Sequence, residues 1–371
     1  MLKSFSVTNF KNFKNSLSFV LDNPANYGFN TEAVRGGVKT KGLIYGINGS
    51  GKSNLGLALF DIVVHLTDKE RILQKYRPYL NLDSKKPAAE FEYVFEFNDR
   101  EVVYQYEKTS ATDLVREKLT IGGAEVLSYD FARKSGHVEL VGAESLQITS
   151  SLPGTTDVLS RVKFVRNNAI LQDNETNRAF ASFMSFVDSM LMFYSLDQNG
   201  YQGLSVGSDG ITQGIIRANK VDEFRRFLSD QGIDYDLVPM DVDGQKELYC
   251  RYGNASVPFM SVASTGTRSL ALFYYWYVRM ATASFVFIDE FDAFYHFELA
   301  EQIVLMLRGL KGPQVFLTTH NTDLLSNELL RPDVYFYLRG ELLDSLDHLS
   351  EKELRSAHNL QKMFKAGSFD A

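Results

Sequence analysis

Near the start of the chain, Gly46-Ile47-Asn48-Gly49-Ser50-Gly51-Lys52-Ser53 sets glycines, a lysine and serine hydroxyls at a spacing suited to gripping a chain of phosphates. Glycines let backbone amides turn inward on phosphate oxygens, Lys52 reaches the β and γ phosphates, and Ser53 can place its hydroxyl on Mg²⁺. Asn54 follows in the helix that such a loop opens, and the N-terminal dipole of that helix favours an anion. Much later, the apolar run Phe285-Val286-Phe287-Ile288 ends in Asp289 and Glu290. At the carboxyl end of a parallel strand, Asp289 can hold Mg²⁺ and Glu290 can orient or deprotonate an attacking water. Together the two elements point to a nucleotide hydrolase.

Two further segments flank the acids. Ser264, Thr265, Gly266 and Thr267 open an amphipathic pattern that continues through Leu270, Phe273, Tyr277 and Met280, and a Ser and Gly at a helix start form an anion site. Pro313 to Thr319 reads as another strand, followed by His320, which is placed to touch a γ phosphate.

Stepping outward to the supporting elements, Gly42 to Tyr45 reads as a short buried strand before the loop, and Ser53 to Leu66 as the helix after it. Leu2 to Phe13 and Ser16 to Leu21 alternate as a hairpin laid beside the phosphate-loop strand, with Lys11-Asn12 near its turn, and Asp22 to Lys41 is irregular. Ala88 to Leu140 predicts a β meander, Arg161 to Ser195 a helical stretch, Val221 to Gln231 a helix closed by Gly232, and Leu248 to Val257 a strand. About 240 residues separate the phosphate loop from the acids, far more than one βαβ crossover needs, so a lobe is inserted between them.

Composition sets bounds. The chain has 371 residues, 44% hydrophobic and 23% charged, enough for a sizeable core. A net charge of -7 offers nucleic acid no general attraction, although a local basic face stays open. The single cysteine, Cys250, excludes an internal disulfide framework and suits a reducing compartment. The richest apolar stretch, Leu270 to Ile288, is interrupted by Arg279, Thr282 and Ser284, and Met1 to Phe5 lacks a signal-peptide core. A cytoplasmic protein without membrane contact is expected.

The order of phosphate loop, Ser-x-Gly-Thr segment, Asp-Glu strand and Thr-Thr-His resembles the ABC-type ATPases related to RecF, the SMC proteins and the OLD family. More narrowly it is similar to the short AAA ATPases of bacterial phage-defence and abortive-infection loci, of the AbiL and RloA types. Phe5 to Phe13 resembles their first strands, Tyr104 to Tyr106 with Glu117 to Leu119 their β lobe, and Arg355 to Asn359 with Met363 to Gly367 their C-terminal tail. The fold implied is α/β, a P-loop NTPase ABC-type head with a β-rich lobe and an inserted helical lobe but no long coiled coil. The expected divisions are 1–150, an N-terminal ATPase lobe; 151–255, the inserted lobe; and 256–371, the C-terminal ATPase lobe.

The resemblance implies that Gly46, Asn48, Gly49, Ser50, Gly51, Lys52, Ser53 and Asn54 bind ATP, and that Ser53 and Asp289 hold Mg²⁺. Glu290 would be the general base, His320 the sensor of the γ phosphate and Lys52 a catalytic cation. Ser264, Thr265, Gly266 and Thr267 would close over the ATP of a second subunit, which requires a homodimer or a higher oligomer. Thr265 departs from the glycine expected there. Phe291 to His296 resembles the dimer-contact segment, with His296 matching the family histidine and Phe297 standing in place of a common proline. No glutamine of a Q-loop is assignable. The chain shows no nuclease-type acidic cluster, H-N-H signature or metal-spaced His/Cys set, so any effector is expected to be a separately encoded protein. The resemblance implies a sensor or regulator of an anti-phage system; the alternative is a RecF-like ATPase that binds DNA in repair or chromosome maintenance.

Overall fold

Alternating and continuous apolar patterns sort the strands into two large sheets in the computed structural model of the protein, which describes residues 1–69, 73–148, 159–194, 200–203, 210–293, 295 and 297–370. In chain order, β1 (Leu2–Thr8) and β2 (Leu17–Val20) precede the two-residue pair β3 (Val34–Arg35) and β4 (Val38–Lys39). Strand β5 (Lys41–Tyr45) then leads into α1 (Lys52–Leu59) and α2 (Asp61–Leu66). A meander follows as β6 (Ala89–Phe97), β7 (Arg100–Lys108), β8 (Leu114–Ile121), β9 (Ala124–Asp130) and β10 (Ser135–Val138). The middle of the chain contributes α3 (Arg161–Asn168), α4 (Glu175–Asp188), β11 (Met190–Tyr194), β12 (Gly200–Gly203), α5 (Ile211–Arg217) and α6 (Val221–Ser229). A small sheet, β13 (Leu237–Val242), β14 (Gln245–Tyr252) and β15 (Ala255–Pro258), leads through α7 (Phe259–Val262) to α8 (Thr265–Met280). The remainder is β16 (Phe285–Asp289), α9 (Phe297–Gly309), β17 (Gln314–Thr319), β18 (Tyr335–Arg339), β19 (Leu342–Ser345), α10 (Leu346–Leu349) and α11 (Leu360–Lys365).

The first large sheet is antiparallel, in the order β10-β9-β8-β7-β6-β1-β2. Its pleat explains its sequence. Phe5, Tyr93, Tyr104, Leu119 and Leu127 stand opposite one another across five strands and are buried, while the next row, Ser6, Glu92, Gln105, Lys118 and Ser128, is polar and faces away. The second sheet has the order β12-β11-β16-β17-β5-β18-β19, with its inner five strands parallel. Every residue of β5, β16 and β17 is buried, as a parallel sheet covered on both faces requires. Phe285, Phe287 and Phe316 pack with α1, α2 and the antiparallel sheet, while Val286, Ile288, Val315 and Leu317 pack with α8 and α9. Helix α1 lies tight on this sheet at Gly56, where a Cβ would come within 2.5 Å of Met192 Cε and 2.6 Å of the Phe287 ring. The two sheets are joined by Gln314, fully buried, whose side chain accepts from Leu2 N at 2.7 Å and donates to Leu2 O at 2.9 Å.

Several expectations need correcting. The β1–β2 hairpin does not lie beside the phosphate-loop strand; it pairs with β6 in the other sheet. The helical stretch ends at Asp188, and Met190 and Met192 belong to β11, which pairs with β16 in the parallel sheet. The apolar spacing before and after Asp188 fits a helix equally well, so pairing with β16 decides. Leu248 to Val257 is two strands with a turn at Gly253, whose φ is +60°. The helix after the phosphate loop is interrupted at Phe60.

Below that interruption sits a buried polar cluster. Asp61 and Lys108, both fully inaccessible, form an ion pair at 2.6 Å, and Tyr79 and Tyr106 donate to Asp61 at 2.9 and 3.1 Å. Burial pushes the Asp61 carboxyl upward, and Lys108 with the hydroxyls opposes that shift. His65 Nε2 meets Tyr104 Oη at 2.9 Å, and Tyr104 donates to Glu117 at 3.0 Å, which also accepts from Ser160 at 2.7 Å. The cluster fastens α2 to the meander and to the start of α3. Breaking it from one side leaves a buried charge: Lys108→Met is expected to cost about 3–5 kcal/mol of folding stability, read from denaturant unfolding.

Candidate functional site

Because β17 lies between β16 and β5 in a parallel ladder, the three segments after these strands emerge side by side. The phosphate loop leaves β5, the acids end β16 and His320 follows β17.

The loop begins at Gly46, whose amide donates to Thr319 O at 3.3 Å, and Ser50 N donates to Ile47 O at 3.1 Å. Gly49 and Gly51 have φ of +79° and +103°, a region that side chains with Cβ rarely adopt. A Cβ on Gly51 would lie 2.4 Å from Asn12 Nδ2, and one on Gly46 would lie 2.4 Å from Ser50 Oγ. Asn54 donates to Asn12 Oδ1 at 2.6 Å, so the β1–β2 turn braces the loop from outside. Ile47, Asn48 and Gly49 form an exposed crown, and Ser53 is exposed on the first turn of α1.

Lys52 is buried and donates to Gly46 O at 2.6 Å and Ile47 O at 3.2 Å. Burial lowers its pKa, while Glu290, Asp289 and Asp292 pull it back up, which places all three acids within its electrostatic reach.

Two threonines organise those acids. Thr318 Oγ1 donates to Asp289 Oδ1 at 2.7 Å and accepts from Glu290 N at 2.7 Å. Glu290 is the first residue past the strand and has φ of +43°, a left-handed conformation that its amide bond to Thr318 helps to hold. Thr319 Oγ1 donates to Asp292 Oδ2 at 2.8 Å and accepts from Asn321 N at 2.9 Å, bracketing the exposed His320. Burial raises the Asp292 pKa, opposed by Thr319, by its own amide and by the charges of His320 and Lys52. Asp292 Oδ1 and Ser50 Oγ are buried without a hydrogen-bond partner.

Ser264 caps the 16-residue α8, its Oγ accepting from Thr267 N at 3.1 Å and lying 2.9 Å from Thr267 Oγ1. Thr265 is exposed, and a Cβ on Gly266 would meet only Ser264 Oγ, at 3.9 Å, so this corner stands open to an approaching group. Among the described residues no hydrogen bond joins Ser264–Thr267 to the phosphate loop, Asp289 or Glu290. His296 and Phe294, singled out in the dimer-contact segment, lie outside the described residues.

The fold thus gathers the phosphate loop, Lys52, Asp289, Glu290 and His320. It adds Asn12, Thr318, Thr319 and Asp292, for which the sequence suggested no individual role. The paired threonines at a strand end were a readable signal; Asn12, distant in sequence from Gly51, was not. The donor set fits a magnesium nucleotide: a loop with positive φ at Gly49 and Gly51, a cation, the orphaned Ser50 hydroxyl, and Ser53 with Asp289 as oxygen ligands. A hollow of about 1020 Å³ lies away from this site, on the outer face of the antiparallel sheet. Several of its charges are paired, Lys86 with Glu90, Arg116 with Glu107 and Asp130, Lys118 with Glu125.

Residues 43–133 and 213–326, more than half the chain, match the family described as "AAA domain, putative AbiEii toxin, Type IV TA system". Both nucleotide motifs and the α8 cap fall within those spans. None of the curated proteins matches the chain. Among solved structures, the SMC head domain from Thermotoga maritima is 17% identical with a TM-score of 0.43, covering 93% of this chain and 97% of its own. An SmcHead bound to the C-winged helix domain of ScpA is 13% identical with a TM-score of 0.47, covering 93% and 96%. An Smc head with an extended coiled coil, bound to the C-terminal domain of ScpA derived from Pyrococcus furiosus, is 13% identical with a TM-score of 0.44, covering 93% and 95%. The topology is α/β, with the phosphate loop following a central strand of the parallel sheet. No helix among the described residues is long and apolar enough to cross a membrane.

The Thr318 bridge carries a direct consequence. Thr318→Val strands Asp289 Oδ1 and the Glu290 amide, and is expected to lower stability by about 1–3 kcal/mol in thermal or denaturant unfolding, whereas Thr318→Ser keeps both bonds and most of the stability.

Proposed function

The chain belongs to this AAA-domain family, and from that premise we propose that it is an ABC-type ATPase, working in the cytoplasm as the sensor or regulator subunit of an anti-phage, abortive-infection or toxin-antitoxin-like complex. The observation that carries the ATPase reading is the convergence of Lys52, Asp289, Glu290 and His320 at the ends of three adjacent parallel strands.

In this reading Lys52 exchanges the carbonyls of Gly46 and Ile47 for phosphate oxygens, so the cation is held ready inside the loop. Gly46, Asn48, Gly49, Ser50, Gly51 and Asn54 line or brace the phosphate path. Ser53 and Asp289 would hold Mg²⁺, which would supply charge neutralisation to the phosphates. Glu290, aimed by its left-handed backbone and the Thr318 bond, takes the proton of the attacking water, and His320 contacts the γ phosphate. The open corner at Gly266 suits Ser264, Thr265, Gly266 and Thr267 to close over the ATP of a second copy. ATP binding would favour a closed homodimer and hydrolysis would reopen it, a population shift requiring a few kcal/mol of differential affinity. That shift would restrain or release a separately encoded effector, such as a nuclease.

The test is the solution mass of wild type and Glu290→Gln with and without ATP and Mg²⁺, together with phosphate release. Glu290→Gln is expected to trap an ATP-dependent dimer and to lose turnover by about 100-fold or more. Lys52→Ala is expected to bind no ATP and stay unassociated. Absence of both ATP binding and association in wild type would overturn the reading. ATP-dependent, salt-sensitive retention of duplex DNA by Glu290→Gln would replace the effector reading with the RecF-like alternative.

A further inference from the structure

The C-terminal segment touches the strand end that leads into the phosphate loop and the turn that follows His320, contacts that the proposed function leaves unused. On one side Phe364 of α11 packs edge-on against Tyr45, with ring centroids 4.5 Å apart, and against Tyr337 at 4.9 Å. Tyr45 is the last residue before Gly46. On the other side Gln361 donates to Asp323 Oδ1, and Lys365 Nζ lies 3.3 Å from the same oxygen. Asp323 sits in the short 3-10 turn Thr322–Leu324, immediately beyond His320 and Asn321.

The segment is held in place independently of these two contacts. Asn327 Nδ2 donates to the carbonyls of Arg355 at 3.1 Å and His358 at 2.8 Å, and Arg355 N donates to His358 Nδ1 at 3.0 Å. Leu360 and Phe369 are buried, and Arg339 donates to Asp370 O at 2.7 Å. Helix α11 is therefore a fixed body bearing on the end of β5, where the phosphate loop begins, and on the turn after β17.

The energetics separate anchoring from bearing. Asp323 and Lys365 are 49% and 58% exposed, so their pair adds little to folding, on the order of 1 kcal/mol or less. A contact too weak to support the fold can still fix a loop, because small displacements of reacting groups cost far more in rate than in stability.

We propose that α11 is a positioning clamp for the nucleotide site. Phe364 fixes the entry to the phosphate loop through Tyr45, and Asp323, gripped by Gln361 and Lys365, fixes the loop that carries His320. The kinetic part of this inference rests on the ATPase reading, whereas the mechanical part does not.

The experiment pairs hydrogen exchange on the nucleotide-free chain with steady-state phosphate release, for wild type, Asp323→Ala, Phe364→Ala and the charge swap Asp323→Lys with Lys365→Asp. Asp323→Ala is expected to speed exchange in 318–324 and to lower kcat about tenfold with KM within about twofold, melting within a few degrees of wild type. Phe364→Ala is expected to speed exchange in 46–51 and to raise KM about fivefold or more. The swap is expected to recover most of the kcat lost in Asp323→Ala. Exchange unchanged in both loops, or raised uniformly across the chain, overturns the clamp. If wild type releases no phosphate, the ATPase reading falls, and the exchange data still decide the clamp.

Discussion

The parallel ladder that seats β17 between β5 and β16 is the constraint on which the rest depends. Its hydrogen bonds fix the relative height of three strand ends, so that Thr318 reaches Asp289 and the Glu290 amide, Thr319 reaches Asp292, and the Thr319 carbonyl receives Gly46. A slip of one residue in β17 would turn both hydroxyls away from these partners. Continuous burial of the three strands makes such a slip expensive, because their apolar residues face one of two packed cores.

Held in this way, the site carries features that a free chain would avoid. Glu290 has a left-handed backbone, Lys52 is buried among carbonyls, and Asp292 and Ser50 each keep a buried oxygen without a donor or acceptor. These are costs that the surrounding fold offsets, and they collect where a phosphate chain and its counter-ion would be received. The buried Asp61–Lys108 cluster adds rigidity behind them by tying α2, the continuation of the phosphate-loop helix, to the meander.

The antiparallel sheet acts mainly as a buttress. Its inner row of aromatic residues closes one face of the core, its β1–β2 turn delivers Asn12 to Gly51 and Asn54, and its outer face pairs several of its charges. The α8 cap, by contrast, satisfies Ser264 within its own first turn and leaves Gly266 uncrowded, an arrangement complete in itself and open outward.

The sequence by itself determined the local motifs and the kinds of element that bear them. The phosphate loop, the acids at a strand end, the capped helix at Ser264 and the strand before His320 are local patterns, written in spacing and residue type, and each appears where that pattern puts it. The meander was equally legible, since alternation over Ala89–Phe97 and Arg100–Lys108 admits little else. Partnership between distant segments was decided only by the tertiary structure. Met190–Tyr194 is apolar enough for a helix and becomes a strand because β16 offers it a ladder, and the first hairpin joins β6 and not β5. Asn12, Thr318, Thr319 and Asp292 entered the site in the same way, since a hydroxyl or an amide has no fixed role until folding sets its partner within about 3 Å.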